Sequence, residues 1–218
     1  MMEGIEMKKK VSELQCYLSI VYVVALLVSN IVANKQLVIP FGITMTGAVF
    51  VFPITYILSD LFSEVYGYRW SRITCYASFL ANLFMVVVFQ LVISTKAPAY
   101  WPNQEAFAIV LGNTPRILLA SLTAYVIGDM MNDKVFRRMK GSNTTIKGFG
   151  ARAFLSSVVG EVCDSAIFIP IAFIGQMPVK TLIIMGITQV SLKLAYELII
   201  LPVTTILTKK VGQYEESR

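Results

Sequence analysis

Four ionisable side chains stand deep inside apolar stretches of this chain, where an ionised group near the bilayer centre costs roughly 2.5–3.5 kcal/mol. Glu161 and Asp164 fall in one stretch, Lys193 and Glu197 in the next. Ser157, Glu161, Asp164 and Phe168 follow i, i+4, i+7 and i+11, a single stripe of a helix. Gln189, Lys193 and Glu197 follow i, i+4 and i+8 on the following one. Only the short 175–180 connection separates the two, so antiparallel neighbours can face these stripes together and bring Asp164 and Lys193 to one depth. A lone Asp164–Lys193 pair could serve only to hold two helices. That reading accounts poorly for Glu161 and Glu197, whose surplus negative charge needs a cation, a proton or a ligand that donates hydrogen bonds. The chemistry this pattern points to is recognition of a small polar guest in a midplane pocket. Tyr196, beside this stripe, and Phe168 could stack on a flat guest.

Other polar residues in apolar surroundings carry two readings each. Asn82 sits midway along the third apolar stretch with Ser78 at i−4, which suits interhelical hydrogen bonding as well as ligand contact. Arg116 follows Asn113, Thr114 and Pro115, and suits a gate, an outer ion pair or snorkelling to the interface. Asp60 and Glu64 precede Tyr66-Gly67-Tyr68-Arg69, and serve either a polar route or a tight turn in which they pair with Arg69 or Arg72.

The chain has no histidine, which excludes His-ligated zinc, Ser-His-Asp and Cys-His catalysis and histidine proton relays. It has no HExxH helix, no GxSxG elbow and no closely spaced aspartate array, so an enzyme is not expected. No GxxxxGK[ST] loop is present, so any use of ATP would fall to a partner. Cys16, Cys75 and Cys163 lie in or beside apolar runs and read as buried small hydrophobes. No metal and no cofactor is implied.

The elements that position these residues follow from composition. Of 218 residues, 56% are hydrophobic and only 15% charged, against about 25% for a soluble domain. Mean hydropathy is +0.68. The expected fold is an all-α membrane protein, a bundle of six transmembrane helices near 14–33, 43–62, 73–94, 116–131, 153–174 and 181–207. The fourth is short and could begin earlier, in the apolar 106–111 run, with Pro115 as a kink or start. The first follows Lys8, Lys9 and Lys10 as a signal peptide would, but its apolar core is too long, and it reads as a retained helix.

Lysine and arginine set an orientation. Fourteen of the nineteen lie on one side: Lys8, Lys9 and Lys10, Arg69 and Arg72, the 132–152 region, and Lys209, Lys210 and Arg218. Three lie opposite, Lys35, Lys96 and Lys180. Positive residues stay cytoplasmic, so both termini and the 132–151 loop are expected inside and the 96–112 segment outside. The division is a cytoplasmic segment 1–13, a transport domain 14–208 and a cytoplasmic tail 209–218. No soluble segment is long enough to read nucleic acid, despite a net charge of +6.

Four motifs in order resemble one family. Ser59-Asp-Leu-Phe-Ser-Glu-Val-Tyr-Gly67 resembles the SDLxxEVYG motif of the queuosine precursor transporters, the vitamin-uptake-like membrane family. Arg116-Ile-Leu-Leu-Ala-Ser121 is similar to that family's R-x4-S start to its fourth helix. The run from Arg152 through Gly160-Glu-Val-Cys-Asp-Ser165 is similar to its fifth helix, and Lys193-Leu-Ala-Tyr-Glu197 with Pro202 to its sixth. The resemblance spans about residues 14–208. It implies a fold similar to the six-helix substrate-binding subunits of energy-coupling-factor importers. It also implies import of 7-deazaguanines such as preQ0, preQ1 or queuine across the inner, cytoplasmic membrane, for salvage into tRNA. The alternative it leaves open is a substrate-capture subunit of a multi-component vitamin or nucleobase importer, with an energising partner or as a homo-oligomer. The residue chemistry is compatible. A 7-deazaguanine presents a ring N–H and an exocyclic amine side by side, and a carboxylate of Glu161 or Asp164 can accept both, while Lys193 or Gln189 donates to the ring carbonyl.

Overall fold

The computed structural model describes residues 11–140 and 146–217. Lys8, Lys9, Lys10 and Arg218, and part of the 132–151 loop, lie outside the described residues.

Helix α1 (Glu13–Val32) starts where the sequence supplies a capping box. Ser12 Oγ accepts from Gln15 N–H at 3.0 Å, and the Gln15 side chain accepts from Ser12 N–H at 3.3 Å. Then come strands β1 (Gln36–Ile39) and β2 (Ile43–Thr46), an antiparallel hairpin with Leu37 opposite Met45. Helix α2 (Phe52–Leu61) is followed by one π turn over Phe62–Tyr66, and Gly67, at φ 85°, turns the chain into α3 (Tyr68–Ser94). Next are α4 (Gln104–Leu111) and α5 (Thr114–Lys140), then α6 (Ile146–Phe173) and α7 (Val179–Glu216).

Among the described residues, five helical segments are long and apolar enough to cross a bilayer. They are Glu13–Val32, Tyr68–Ser94, Gln104–Asn132, Leu155–Phe173 and Val179–Ile200. Side chains such as Phe84, Leu80 and Ile199 point outward, more than two-thirds exposed, whereas Ser78, Asn82, Gln189 and Lys193 are buried. Apolar outside and polar inside suits lipid as the surrounding solvent. The chain is a multi-pass helical membrane protein.

The expected second span, 43–62, departs from one continuous helix. Its first part is strand β2 and a 3-10 turn over Gly47–Phe50, and its α-helix has only ten residues, about 15 Å. The sequence dictates the break. Pro40 and Gly42 (φ 72°) form the hairpin turn, and Pro53 stands in the first turn of α2. Gly47 folds the hairpin onto the end of α1, where an added Cβ would lie 2.6 Å from the Val32 carbonyl oxygen. Irregular backbone at membrane depth is tolerated when it is buried in protein or lines a cavity, and Met45, Thr46 and Ala48 are buried.

Helices α5 and α6 form the tightest pair. Ala120, Ala124 and Gly128 recur every four residues on α5, and Gly160 answers on α6. A Cβ on Gly128 would lie 3.1 Å from the Gly160 carbonyl oxygen and 3.2 Å from Asp164 Cβ. Small residues let the two backbones close up, which fixes how far Asp164 reaches into the bundle. Ile117, Phe168, Phe173 and Met185 fill one half of the interior, and Tyr22, Leu58, Leu61 and Phe62 the other. Near the C-terminus of α7, Glu215 accepts from Ser12 Oγ at 2.5 Å and from Tyr66 OH at 2.9 Å.

Candidate functional site

The two polar stripes meet as their spacing requires. Lys193 Nζ lies 2.6 Å from Asp164 Oδ2 and 2.8 Å from Glu161 Oε2. Lys193 is 7% exposed, so its charge is matched almost wholly by these carboxylates. Tyr56 of α2 donates to Glu161 Oε1 at 3.1 Å. Glu161 thus has a hydrogen bond on Oε1 and an ion-pair contact on Oε2, where no hydrogen bond forms among the described residues. Asp164 has a partner on Oδ2 alone among the described residues, and its side chain is 29% exposed.

This layer separates two cavities. One, of about 220 Å³, has aromatic walls that include Tyr22, Phe79, Tyr125 and Phe168, with polar groups from Asn30 and Gln189. The other, of about 380 Å³, is lined by Asp60, Asp129, Glu161, Glu197 and Tyr196 among others. Tyr56, Ser59, Tyr125, Asp164 and Lys193 border both. Gln189 is 2% exposed, and among the described residues its Oε1 has no hydrogen-bond partner. A buried amide oxygen left unpaired in a cavity wall calls for a donor from whatever enters.

Of the residues singled out from sequence, Glu161, Asp164, Lys193, Gln189, Glu197, Phe168 and Tyr196 all line one cavity or both, and Asp60 joins them. Asn82 lines neither. It is fully buried, accepts from Asn30 Nδ2 at 2.7 Å and donates to the Ser78 carbonyl at 3.0 Å, so it orients Asn30, which does face the aromatic cavity. Arg116 donates to the Ile171 and Ile174 carbonyls at 2.5 and 2.6 Å and caps the end of α6. Glu64 is exposed on the π turn. Arg72 pairs with neither Asp60 nor Glu64. It meets Asp129 at 2.5 Å, donates to Tyr125 OH at 3.1 Å and stacks on the Tyr68 ring at 4.8 Å. Cys75 is buried and lines the aromatic cavity, Cys163 is half-buried, and Cys16 is exposed on α1, contrary to the buried position expected of it.

Sequence reasoning missed Tyr56, Tyr125, Asp129 and Asn30. Tyr56 stands at i−4 and i−3 to Asp60 and Ser59, so helical spacing from Asp60 was the available signal. Tyr125 and Asp129 share the same four-residue step.

A family model described as "Putative vitamin uptake transporter" matches residues 46–207, which holds the hairpin's last residue, both stripes and the whole polar layer. A Bacillus subtilis (strain 168) protein named "Probable queuosine precursor transporter" is 25% identical over 192 residues, covering 87% of this chain and 84% of its own. No solved structure matches the chain.

Proposed function

The chain belongs to the vitamin uptake transporter family, and we propose that it imports 7-deazaguanine precursors of queuosine across the cytoplasmic membrane, binding the base in the aromatic cavity against Asp164. It is a membrane transporter rather than an enzyme. The observation that carries the substrate reading is the shared wall of the two cavities, where Asp164 keeps an oxygen available beside Lys193 and Gln189. Glu161 is held by Tyr56 and the ion pair with Lys193 and does not line the aromatic cavity, whereas Asp164 does, which favours Asp164 as the acceptor of the ring N–H and exocyclic amine. Lys193 donates to the ring carbonyl, Gln189 supplies a further polar contact, and Phe168 packs on the ring face. An adenine-like ring would set acceptors against acceptors in a buried site and lose affinity. The name of the Bacillus subtilis relative supports the same cargo.

In this reading, the hairpin, α2 and the π turn together make a sixth crossing. The even count puts both ends of the 14–208 transport domain on the cytoplasmic side, in line with the lysine and arginine distribution. The acidic cavity is lined from the α5–α6 end of the bundle and so faces the cytoplasm, with the aromatic cavity toward the outside.

The test uses a host unable to synthesise queuosine. Such cells are fed each precursor with and without this chain, and queuosine in their tRNA is measured. Precursor-dependent queuosine only with the chain is the expected result. No gain with any precursor removes the cargo.

A further inference from the structure

We propose that the end of α7 beyond Pro202 is a hinged strap that gates the acidic cavity on the cytoplasmic side of the transporter. The inference takes its sidedness from the topology proposed above and depends on no particular cargo. Val179–Ile200 is long enough to cross the bilayer, which leaves 201–216, about 24 Å of helix, running past it. That segment still carries cavity wall, because Thr204 is buried and lines the acidic cavity together with Ile200 and Glu197. Beyond the wall it is tied down. Val211 packs against the cluster of Tyr22, Leu58, Leu61 and Phe62. One turn on, Glu215 accepts hydroxyl bonds from Ser12, the N-cap of α1, and from Tyr66, the last residue of the π turn.

The strap has its own hinge. Pro202 has no N–H to give the Leu198 carbonyl, so the helical ladder is interrupted there. Thr204 and Thr208 bond back to the Ile200 and Thr204 carbonyls at 3.3 and 2.9 Å, a pattern that bends helices. The π turn follows directly on α2, whose Tyr56, Ser59 and Asp60 line the same cavity. Swinging the end of α7 about Pro202 therefore parts the α2 and α7 walls. The tie is suited to release. Both hydroxyls are neutral, and Ser12, Tyr66 and Glu215 are only half-buried, so water can replace each bond. At the opposite end, Asn34, Asn113 and Gln176 join the end of α1, the start of α5 and the α6–α7 connection through bonds of 3.1 and 3.2 Å. With both ends tied, passage to the cytoplasm needs the strap to open.

The experiment reads access to the cavity. Ser157→Cys, on the α6 wall, is made the sole thiol of a full chain whose Cys16, Cys75 and Cys163 are replaced by Ser. A membrane-impermeant maleimide is applied to inside-out and to right-side-out vesicles. From the cytoplasmic side, Tyr66→Phe and Glu215→Ala are each expected to speed labelling by about fivefold, the worth of a hydrogen bond lost from the closed state. An unchanged rate in both variants overturns the gate. Acceleration from the outer side alone overturns the topology, and the cytoplasmic gate with it. A second arm holds the strap shut. Ser12→Cys with Glu215→Cys, in the same background without Ser157→Cys, is joined by a short reducible bis-thiol linker and reconstituted in liposomes. Exchange of labelled 7-deazaguanine is expected to stop on linking and to return on reduction. Undiminished exchange through the linked chain overturns the gate. No exchange by wild type removes the base as cargo, and the labelling rates then decide the gate by themselves.

Discussion

Lys193 sits 2.6 Å from Asp164 on one oxygen only, so the ion pair that joins α6 to α7 also leaves a carboxylate oxygen at the border of two cavities. A purely structural pair would be better served by engaging both oxygens and excluding space around them. Here the same contact fixes the helices and presents an acceptor. Three consequences follow for substitution, and each separates the structural part from the binding part.

Lys193→Met removes the cation and leaves Glu161 and Asp164 facing each other's charge in the bundle interior. Breaking one side of a buried pair costs roughly 3–5 kcal/mol. Thermal unfolding in detergent is expected to drop sharply, and binding of base with it. Adding Glu161→Gln and Asp164→Asn to Lys193→Met removes the stranded charges, so the midpoint recovers while binding does not. If binding recovered together with stability, the layer would serve only as a strut.

Gln189→Leu acts in the opposite sense on the two properties. The unpartnered Oε1 is a cost to the empty protein, and an apolar side chain of similar size removes it. Stability is expected to hold or rise, and base affinity to fall about tenfold, the worth of a buried hydrogen bond. A scintillation proximity assay with labelled base, alongside a melting curve, reads both. Unchanged affinity would take Gln189 out of the binding site.

Gly128→Leu tests how Asp164 is placed. The Gly128 position lies 3.1 Å from the Gly160 carbonyl oxygen and 3.2 Å from Asp164 Cβ when a Cβ is added, so a larger side chain must force α5 and α6 apart. Uptake by whole cells is expected to be lost even where the protein still reaches the membrane, because Asp164 moves relative to Lys193. Gly128→Ala asks neighbours to give only a few tenths of an ångström and should retain part of the activity. Full activity in Gly128→Leu at normal expression would show that the close approach of α5 and α6 is dispensable.

Much of this arrangement was legible in the residues themselves. Lipid demands long apolar runs, so α1, α3, α6 and α7 could be located by length and α5 only as a shorter run with an open start, and helical spacing of stranded polar residues placed Glu161 and Asp164 on one stripe and Lys193 on the facing one. Apolar content does not distinguish a helix from a buried hairpin, and there the reading of 43–62 as one helix gave way. The punctuation was present in Pro40, Gly42, Gly47 and Pro53, yet Gly47 owes its role to the Val32 carbonyl, a contact that only the folded chain supplies. Tyr56 and Tyr125 escaped for a related reason. An aromatic in an apolar run reads as core, and its hydroxyl becomes informative only when Glu161 or Arg72 is seen beside it. Arg116 likewise reads equally as a gate, an outer ion pair or a snorkelling residue until its guanidinium is found on the last carbonyls of α6.

The measurement closest to the central claim is the affinity of the purified wild-type chain, and of Asp164→Asn, for 7-deazaguanine and 7-deazaadenine. The account predicts that wild type binds the guanine-like base and discriminates against the adenine-like one, and that Asp164→Asn, which replaces an acceptor oxygen by an amide donor, loses the guanine-like base. Equal affinity for both rings, or undiminished guanine-like binding in Asp164→Asn, would contradict it.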